Sequence, residues 1–352
     1  MVSVTDNLWN LLTHDIGIDL GTANTMVAIQ DHGIVISEPS VVAVNKNTKQ
    51  VMAVGSEARR MIGRTPANIV AVRPLRDGVI SDFDSTEAMI RYFIKKVYKD
   101  FPKVISVHRP RVVIGVPSKI TEVEGRAVMD AALSAGARKA YIIEEPMAAA
   151  IGSRIPIEDA AGSMIIDIGG GTTDIAIISL GGIVVDNTVR IAGDEIDQEI
   201  VNYARHKYNI VVGDKMAEDI KIAIGSASPM KKELEAQMKG RDLISGLPKV
   251  ITISSIEIRE AIVKVLDKIA EATREALEQS PPEILSDLLE RGIILVGGGA
   301  MLEGIDKYFE DKLKTPVIIG EDPMSAVARG TNILLSEIDL LEKIQITGED
   351  NI

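Results

Sequence analysis

Two stretches of the chain share one plan, and any fold must accommodate both. "IGIDLGTANTMVAI" (16–29) and "MIIDIGGGTTDIAII" (164–178) each run as an apolar strand, an aspartate, a glycine-threonine turn and a second apolar strand. Without Cβ atoms, such a turn lets consecutive backbone N–H groups converge on an anion. Asp19 and Asp167 stand at strand ends, where each can face a hydrated Mg²⁺, while the hydroxyls of Thr172 and Thr173 can donate to phosphate oxygens. One copy alone is equally a glycine-rich hairpin with an acidic rim. Two copies roughly 150 residues apart point to two related halves that close over one triphosphate and share its metal.

A third glycine cluster lies in "GIILVGGGAML" (292–302), read as a buried strand, glycines 297 to 299 and a helix from about Leu302. The loop follows the carboxyl end of a strand, where α/β sheets bind ligands, and is flat enough to lie against a purine and ribose. The chain contains no G-x-x-x-x-G-K-[ST], no G-x-G-x-x-G and no G-x-S-x-G. Histidines 14, 32, 108 and 206 lack metal-ligand spacing.

Bulk properties remove other classes. With 352 residues, 46% of them hydrophobic, the chain suits two or three globular domains. A formal net charge of -12 argues against nucleic acid as a partner. There are no cysteines, so disulfides, thiolate metal sites and a cysteine nucleophile are excluded. No apolar run approaches the ~20 residues of a spanning helix, and the N-terminus lacks the pattern of a signal peptide, so export is not expected.

Local signals supply a coarse map of alternating strands and helices, hence an α/β fold. Asp84 and Glu87 have the spacing of a capping box ahead of Met89, Ile90, Phe93, Ile94 and Val97, which share one helical face through Lys99. Thr121 and Glu124 repeat that cap before a helix ending near Gly136. A long amphipathic helix is expected from Ile256 to Leu277, stopped by Pro281-Pro282.

"DLGTANT", "DIGGGTTD" and "VGGGAML" resemble, in order, the two phosphate motifs and the adenosine motif of the actin, heat-shock chaperone and sugar kinase superfamily. "SEPSVVAV" (37–44), "VRPLRDGVI" (72–80), "VVIGVPS" (112–118), "IEEPMAAAIG" (143–152), "RIAGDEID" (190–197) and "PPEILSDLLERGIILVGGGAML" (281–302) narrow the resemblance to the MreB family of bacterial actins, from about residue 14 to about 345. The resemblance implies an actin-like ATPase fold of two lobes, each an RNase H-like core carrying a smaller subdomain, with nucleotide in the central cleft. It divides the chain into subdomains IA (13–37, 78–152, 325–346), IB (38–77), IIA (153–191, 257–324) and IIB (192–256).

The same resemblance implies ATP and Mg²⁺ as cofactors. It puts Gly21, Thr22, Ala23 and Asn24 of the first turn, Gly169, Gly170, Gly171, Thr172 and Thr173 of the second, and Gly193, Glu218, Lys221, Gly297, Gly298, Gly299 and Ala300 around the nucleotide. Asp19 and Asp167 would face the metal, and Glu145 would orient or activate the attacking water, with Asp19 and Thr172 also catalytic. On spacing alone, Glu145 or its neighbour Glu144 is equally a helix N-terminal acid stabilised by the dipole, and Glu218 with Lys221 is equally a surface ion pair.

By resemblance the ATPase polymerises with slow, assembly-linked hydrolysis, lies at the inner face of the cytoplasmic membrane, and partners itself, the membrane surface and cell-wall elongation proteins to set cell shape. Residues 1–12, with Leu8, Trp9, Leu11 and Leu12, form a candidate amphipathic membrane segment without a basic face; the other reading is a segment packed on the protein's own surface. Val107-His108 is a weak form of a hydrophobic loop pair in the family. Gly125 replaces a large basic residue near the contact of paired protofilaments, so antiparallel pairing is less secure than longitudinal assembly. A chaperone-type ATPase needs a peptide-binding domain for which no chain remains after Ile352. An acceptor-dependent small-molecule kinase and a non-hydrolysing filament stay open as alternatives.

Overall fold

The computed structural model describes residues 13–30, 32–76, 78–102 and 109–346. These residues divide into two compact units. One takes in the chain up to Asp159, residues 180–183 and the stretch from Ser325 onward; the other takes in 160–179 and 184–324.

The first unit begins with β1 (Ile16–Leu20), β2 (Asn24–Ile29) and β3 (Gly33–Pro39). A small sheet follows, made of β4 (Val42–Asn45), β5 (Val51–Val54) and, after α1 (Ser56–Met61), β6 (Ile69–Val72). The hairpin β7 (Leu75–Arg76) and β8 (Val79–Ile80) leads into α2 (Phe83–Asp100). Then come β9 (Arg111–Val116), α3 (Glu122–Ala135), β10 (Lys139–Glu144) and α4 (Glu145–Gly152). The main sheet has the order β3-β2-β1-β9-β10. β1 is antiparallel to β2 and parallel to β9, which is parallel to β10.

The second unit repeats that plan. It contains β11 (Ser163–Ile168), β12 (Thr173–Ser179), β13 (Gly182–Val189), α5 (Gly193–Tyr208), β14 (Ile210–Val211), α6 (Asp214–Ile224), β15 (Glu235–Asp242) and β16 (Pro248–Ser254). Next are α7 (Ser255–Glu278), α8 (Pro282–Arg291), β17 (Ile293–Val296), a 3-10 turn (Gly298–Met301), α9 (Ile305–Leu313) and β18 (Val317–Ile319). Its main sheet runs β13-β12-β11-β17-β18. β11 is antiparallel to β12 and parallel to β17, itself parallel to β18. The chain then returns to the first unit as α10 (Ala326–Ser336) and α11 (Ile338–Ile344).

Strands buried on both faces read as near-continuous apolar runs, broken here by Arg111 at the start of β9 and by Ser163 and Asp167 near the ends of β11. All six residues of β9 and all six of β11 are buried. In the first unit Phe93, Met89 and Ile90 of α2 join Ile16, Ile18 and Ile114 in one core. In the second, Ile262, Leu266 and Ile269 of α7 pack with Met164, Ile166 and Ile177. Small residues let α4 and α10 cross closely. A Cβ on Gly330 would lie 1.8 Å from the Ala148 carbonyl oxygen, and one on Gly152 would lie 1.9 Å from that of Ala326.

The helix ends show where local chemistry decided the boundary. Thr121 and Glu124 form the expected capping box, with Glu124 N donating to Thr121 Oγ1 at 3.2 Å and Thr121 N to Glu124 Oε2 at 2.7 Å. Ser254 and Glu257 form another at the head of α7. At α2 the cap is Asp82 rather than Asp84; its carboxylate accepts from Ser85 N at 3.0 Å, and Glu87 pairs with Arg91 instead. Both aspartates have cap chemistry, but Asp82 carries the extended backbone a cap requires. The helix expected from Leu302 starts at Ile305, because Gly304 at φ +70° separates it from the 3-10 turn. Gly125 faces inward, where a Cβ would meet Ile142 Cδ1 at 3.1 Å and Ile120 Cδ1 at 3.2 Å. It therefore marks close packing of α3 on its own sheet and says nothing about filament pairing.

Candidate functional site

In the first unit, parallel register brings chemistry to one sheet end. Asp19 pairs with Gly115 of β9, and Gly115 pairs with Ile143 of β10, so the carboxyl ends of three strands lie level. Glu145, the first residue of α4, follows directly. The carboxyl ends of parallel strands are where α/β sheets place ligands. A Cβ on Gly115 would sit 3.4 Å from Glu145 Cγ, so the side chain of Glu145 crosses over Gly115, the strand neighbour of Asp19. Burial raises the pKa of Asp19 to about 7. Such a carboxyl is poorly solvated, and a cation would relieve that penalty.

The turn after Asp19 is held firmly. Ser40 N donates to the Ala23 carbonyl at 3.0 Å, and Ser40 Oγ donates to the Gly21 carbonyl at 2.5 Å. Thr22 is almost buried, and its Oγ1 accepts from Gly78 N at 3.4 Å. Asn24 opens β2, and a Cβ on Gly21 would lie 2.6 Å from the Asn24 carbonyl oxygen.

In the second unit, Asp167 pairs with Asp174 across the hairpin and with Val296 of β17. Gly297 therefore follows immediately beside Asp167. Its backbone, at φ 81° and ψ 173°, is in a region open essentially to glycine alone. A Cβ there would lie 2.3 Å from Asp167 Oδ1 and 2.5 Å from the Ile168 carbonyl oxygen. Gly299 is equally tight against Ile168, whereas a Cβ on Gly298 would meet nothing within 4 Å. The loop thus presents an open glycine between two packed ones. Ala300 lies in the core, and its amide donates to the Gly297 carbonyl. It supports the loop from the core.

Gly169 N donates to the Thr172 carbonyl at 2.9 Å, closing the turn. Thr172 is 6% exposed, and Thr173 is fully buried with its hydroxyl donating to the Ile191 carbonyl at 2.7 Å. The Thr173 hydroxyl is thus engaged with the backbone that leads into α5. Gly193 N donates to the Gly169 carbonyl at 3.2 Å, and Asp194 N to that of Gly170 at 2.8 Å.

Lys221 on α6 donates from Nζ to the Gly193 carbonyl at 3.0 Å and stands 2.9 Å from Asp197 Oδ1. Burial raises the pKa of Asp197 to about 6 against the opposing charge of Lys221, and Glu218 adds to the rise. Asp197 is thus the companion of Lys221 that spacing did not single out. It lies one helical turn after Gly193, on the face that meets α6. The described residues contain no group of three His, Asp or Glu side chains able to hold a metal. One or two carboxylates completed by water and phosphate suit Mg²⁺.

Two sheets of one order, each with a carboxylate ending its first strand and a glycine turn behind it, define an actin-like nucleotide-binding fold. MreB5 of Spiroplasma citri bound to ADP superposes with a TM-score of 0.88 at 40% identity over 94% of this chain and 98% of that one. Its complex with AMPPNP gives 0.87. A MamK double helical filament, at 24% identity and 0.77, shares the fold. The profile of the MreB/Mbl protein family matches residues 13–343. The cell shape-determining protein Mbl of Bacillus cereus is 48% identical over 333 residues, covering 95% of this chain and 99% of the relative. MreB of Escherichia coli is 47% identical over 336 residues, 94% and 95% of the two. The chain belongs to the MreB/Mbl family; it is a bacterial actin-like cytoskeletal protein of a family of actin-like ATPases, and the small-molecule kinase is set aside.

No helix among the described residues is long and apolar enough to cross a membrane. Residues 1–12 and the Val107-His108 pair lie outside the described residues.

Proposed function

We propose that this chain is a cytoskeletal ATPase that binds one Mg-ATP with its Asp19 and Asp167 turns and polymerises into filaments at the inner face of the cytoplasmic membrane. There it organises cell-wall elongation proteins and so helps to set cell shape. The observation that carries the reading is the duplicated sheet order with a carboxylate at the end of the first strand in each copy. Relatives at 47% and 48% identity that are cell shape-determining proteins support the cellular role. The four-subdomain division given above belongs to the same reading.

Within it, Asp19 and Asp167 hold the metal, directly or through water. Thr22 and Thr172 donate from their hydroxyls to phosphate oxygens, amides of Gly21, Ala23, Asn24, Gly170 and Gly171 line the phosphates, and Gly169, whose amide closes the turn on the Thr172 carbonyl, borders them. Gly193, Glu218, Lys221 and the 297–299 loop border the nucleoside. Bound Mg²⁺ supplies charge neutralisation on the β- and γ-phosphates. Glu145, across Gly115 from Asp19, orients the water whose oxygen bonds to the γ-phosphorus as the bond to the bridging oxygen breaks, and accepts its proton. Hydrolysis is slow in the monomer, because filament contacts complete this geometry. Self-association is longitudinal, with pairing of protofilaments left to experiment.

Sedimentation with Mg-ATP against nucleotide-free protein, with phosphate release followed in parallel, tests the reading. Pelleted filaments with release that rises on assembly are expected. A chain that stays monomeric under all nucleotide and salt conditions would contradict it.

A further inference from the structure

The carbonyls of the two glycine turns are tied to corresponding places in the fold. In the second unit Gly169 and Gly170 accept from Gly193 and Asp194, the first residues of α5, which follows β13 after three residues. There a whole small sheet and two helices are inserted before α7. In the first unit Gly21 and Ala23 accept from Ser40, the residue after β3, where the other small sheet begins. The second tie uses backbone amides. The first adds a side-chain hydroxyl to a backbone amide, so its side-chain bond can be removed without rebuilding the chain.

Ser40 is fully buried and makes three hydrogen bonds to this hairpin. Its amide reaches Ala23, and its single hydroxyl proton goes to Gly21, so the contact of 2.8 Å with Thr25 Oγ1 is donated by the equally buried Thr25. Its neighbours are anchored to the inserted sheet. Gly55 N donates to the Val41 carbonyl at 2.8 Å. The buried Glu38 accepts from Ser56 N at 3.0 Å and pairs with Lys96 of α2. Ser40 thus joins the turn to a rigid root.

We propose that Ser40 is a positioning residue for the nucleotide phosphates: its hydroxyl latches the Gly21–Asn24 turn to the root of the small sheet, in the place that Gly193 and Asp194 take in the second unit. The inference rests on the nucleotide reading above. A buried neutral hydrogen bond contributes enough to change affinity by about tenfold. Because the latch acts on the turn, its loss should weaken ligands that carry phosphates and spare one that carries none.

The test compares wild type, Ser40→Ala and Ser40→Cys, the last keeping the volume while weakening the donor. Affinities for Mg-ATP, Mg-ADP and adenosine are measured together with nucleotide-free melting. Both variants are expected to bind Mg-ATP and Mg-ADP about tenfold more weakly, with adenosine within about twofold and melting within a few degrees of wild type. Unchanged Mg-ATP affinity, an equal loss for adenosine, or failure of both variants to fold would overturn the role. A wild-type chain that binds none of the three would instead bring down the nucleotide reading itself.

Discussion

The two glycine turns follow the same strand pattern yet are built by different means. The Asp19 turn is fastened by the Ser40 amide and by the side chains of Ser40 and Thr25, and its aspartate is a carboxyl raised to about 7 by burial next to the strand that Glu145 crosses. The Asp167 turn is fastened by backbone amides of α5 and backed by a loop where Gly297 leaves no room for a Cβ. The first carries titratable chemistry; the second carries shape. On the proposed function, a duplicated fold divides one task, with reactivity on one turn and a rigid mould on the other.

That division can be broken from either side. Glu145→Ala should lower phosphate release by roughly 10²- to 10³-fold with Mg-ATP affinity nearly intact, as measured by single-turnover kinetics and titration. Should affinity fall while turnover persists, the first turn would be the mould. Gly297→Ala should act the other way, costing about 2 kcal/mol or more of stability in denaturant melts and weakening nucleotide about a hundredfold. Hydrolysis per bound nucleotide should be retained. Lys221→Met should weaken ATP and ADP alike by about tenfold, because it removes the proposed contact to the nucleoside and leaves Asp197 buried without its ion pair.

The smallest effect is a pH dependence. Asp197 titrates near 6 in the folded chain against 3.8 for its ordinary value, so between about pH 4 and 6 the native state holds a proton that the unfolded chain has released. Stability should therefore fall as pH rises through that window. Asp197→Asn should flatten the slope by an amount on the order of 1 kcal/mol, read from urea melts at both ends of the window. An identical slope in the variant would show that Asp197 holds no such proton.

Much of this architecture is legible in residues that act locally. Apolar runs around Asp19 and Asp167 mark the hairpins, Thr121 with Glu124 marks a helix start, and the order of the glycine motifs marks the family. Less legible are features that depend on which neighbour arrives in space. Asp82 and Asp84 have the same chemistry, and backbone geometry chose the former. Thr172 and Thr173 are adjacent, but strand alternation turns the second toward Ile191. Lys221 spaced against Glu218 suggests a pair along one helix, whereas packing of α6 on α5 gives it Asp197. Ser40 sits inside a quoted motif, and only strand pairing of β2 with β3 carries it to the Gly21 carbonyl.

The most direct measurement of whether the two turns serve one ligand is calorimetric titration of Mg-ATP into wild type, Asp19→Asn, Asp167→Asn and the double variant. We expect one nucleotide per chain, strong magnesium dependence in wild type, and a double variant that loses little more than either single one, as coupled partners do. Two nucleotides per chain, or losses that simply add, would contradict a shared magnesium-bound nucleotide.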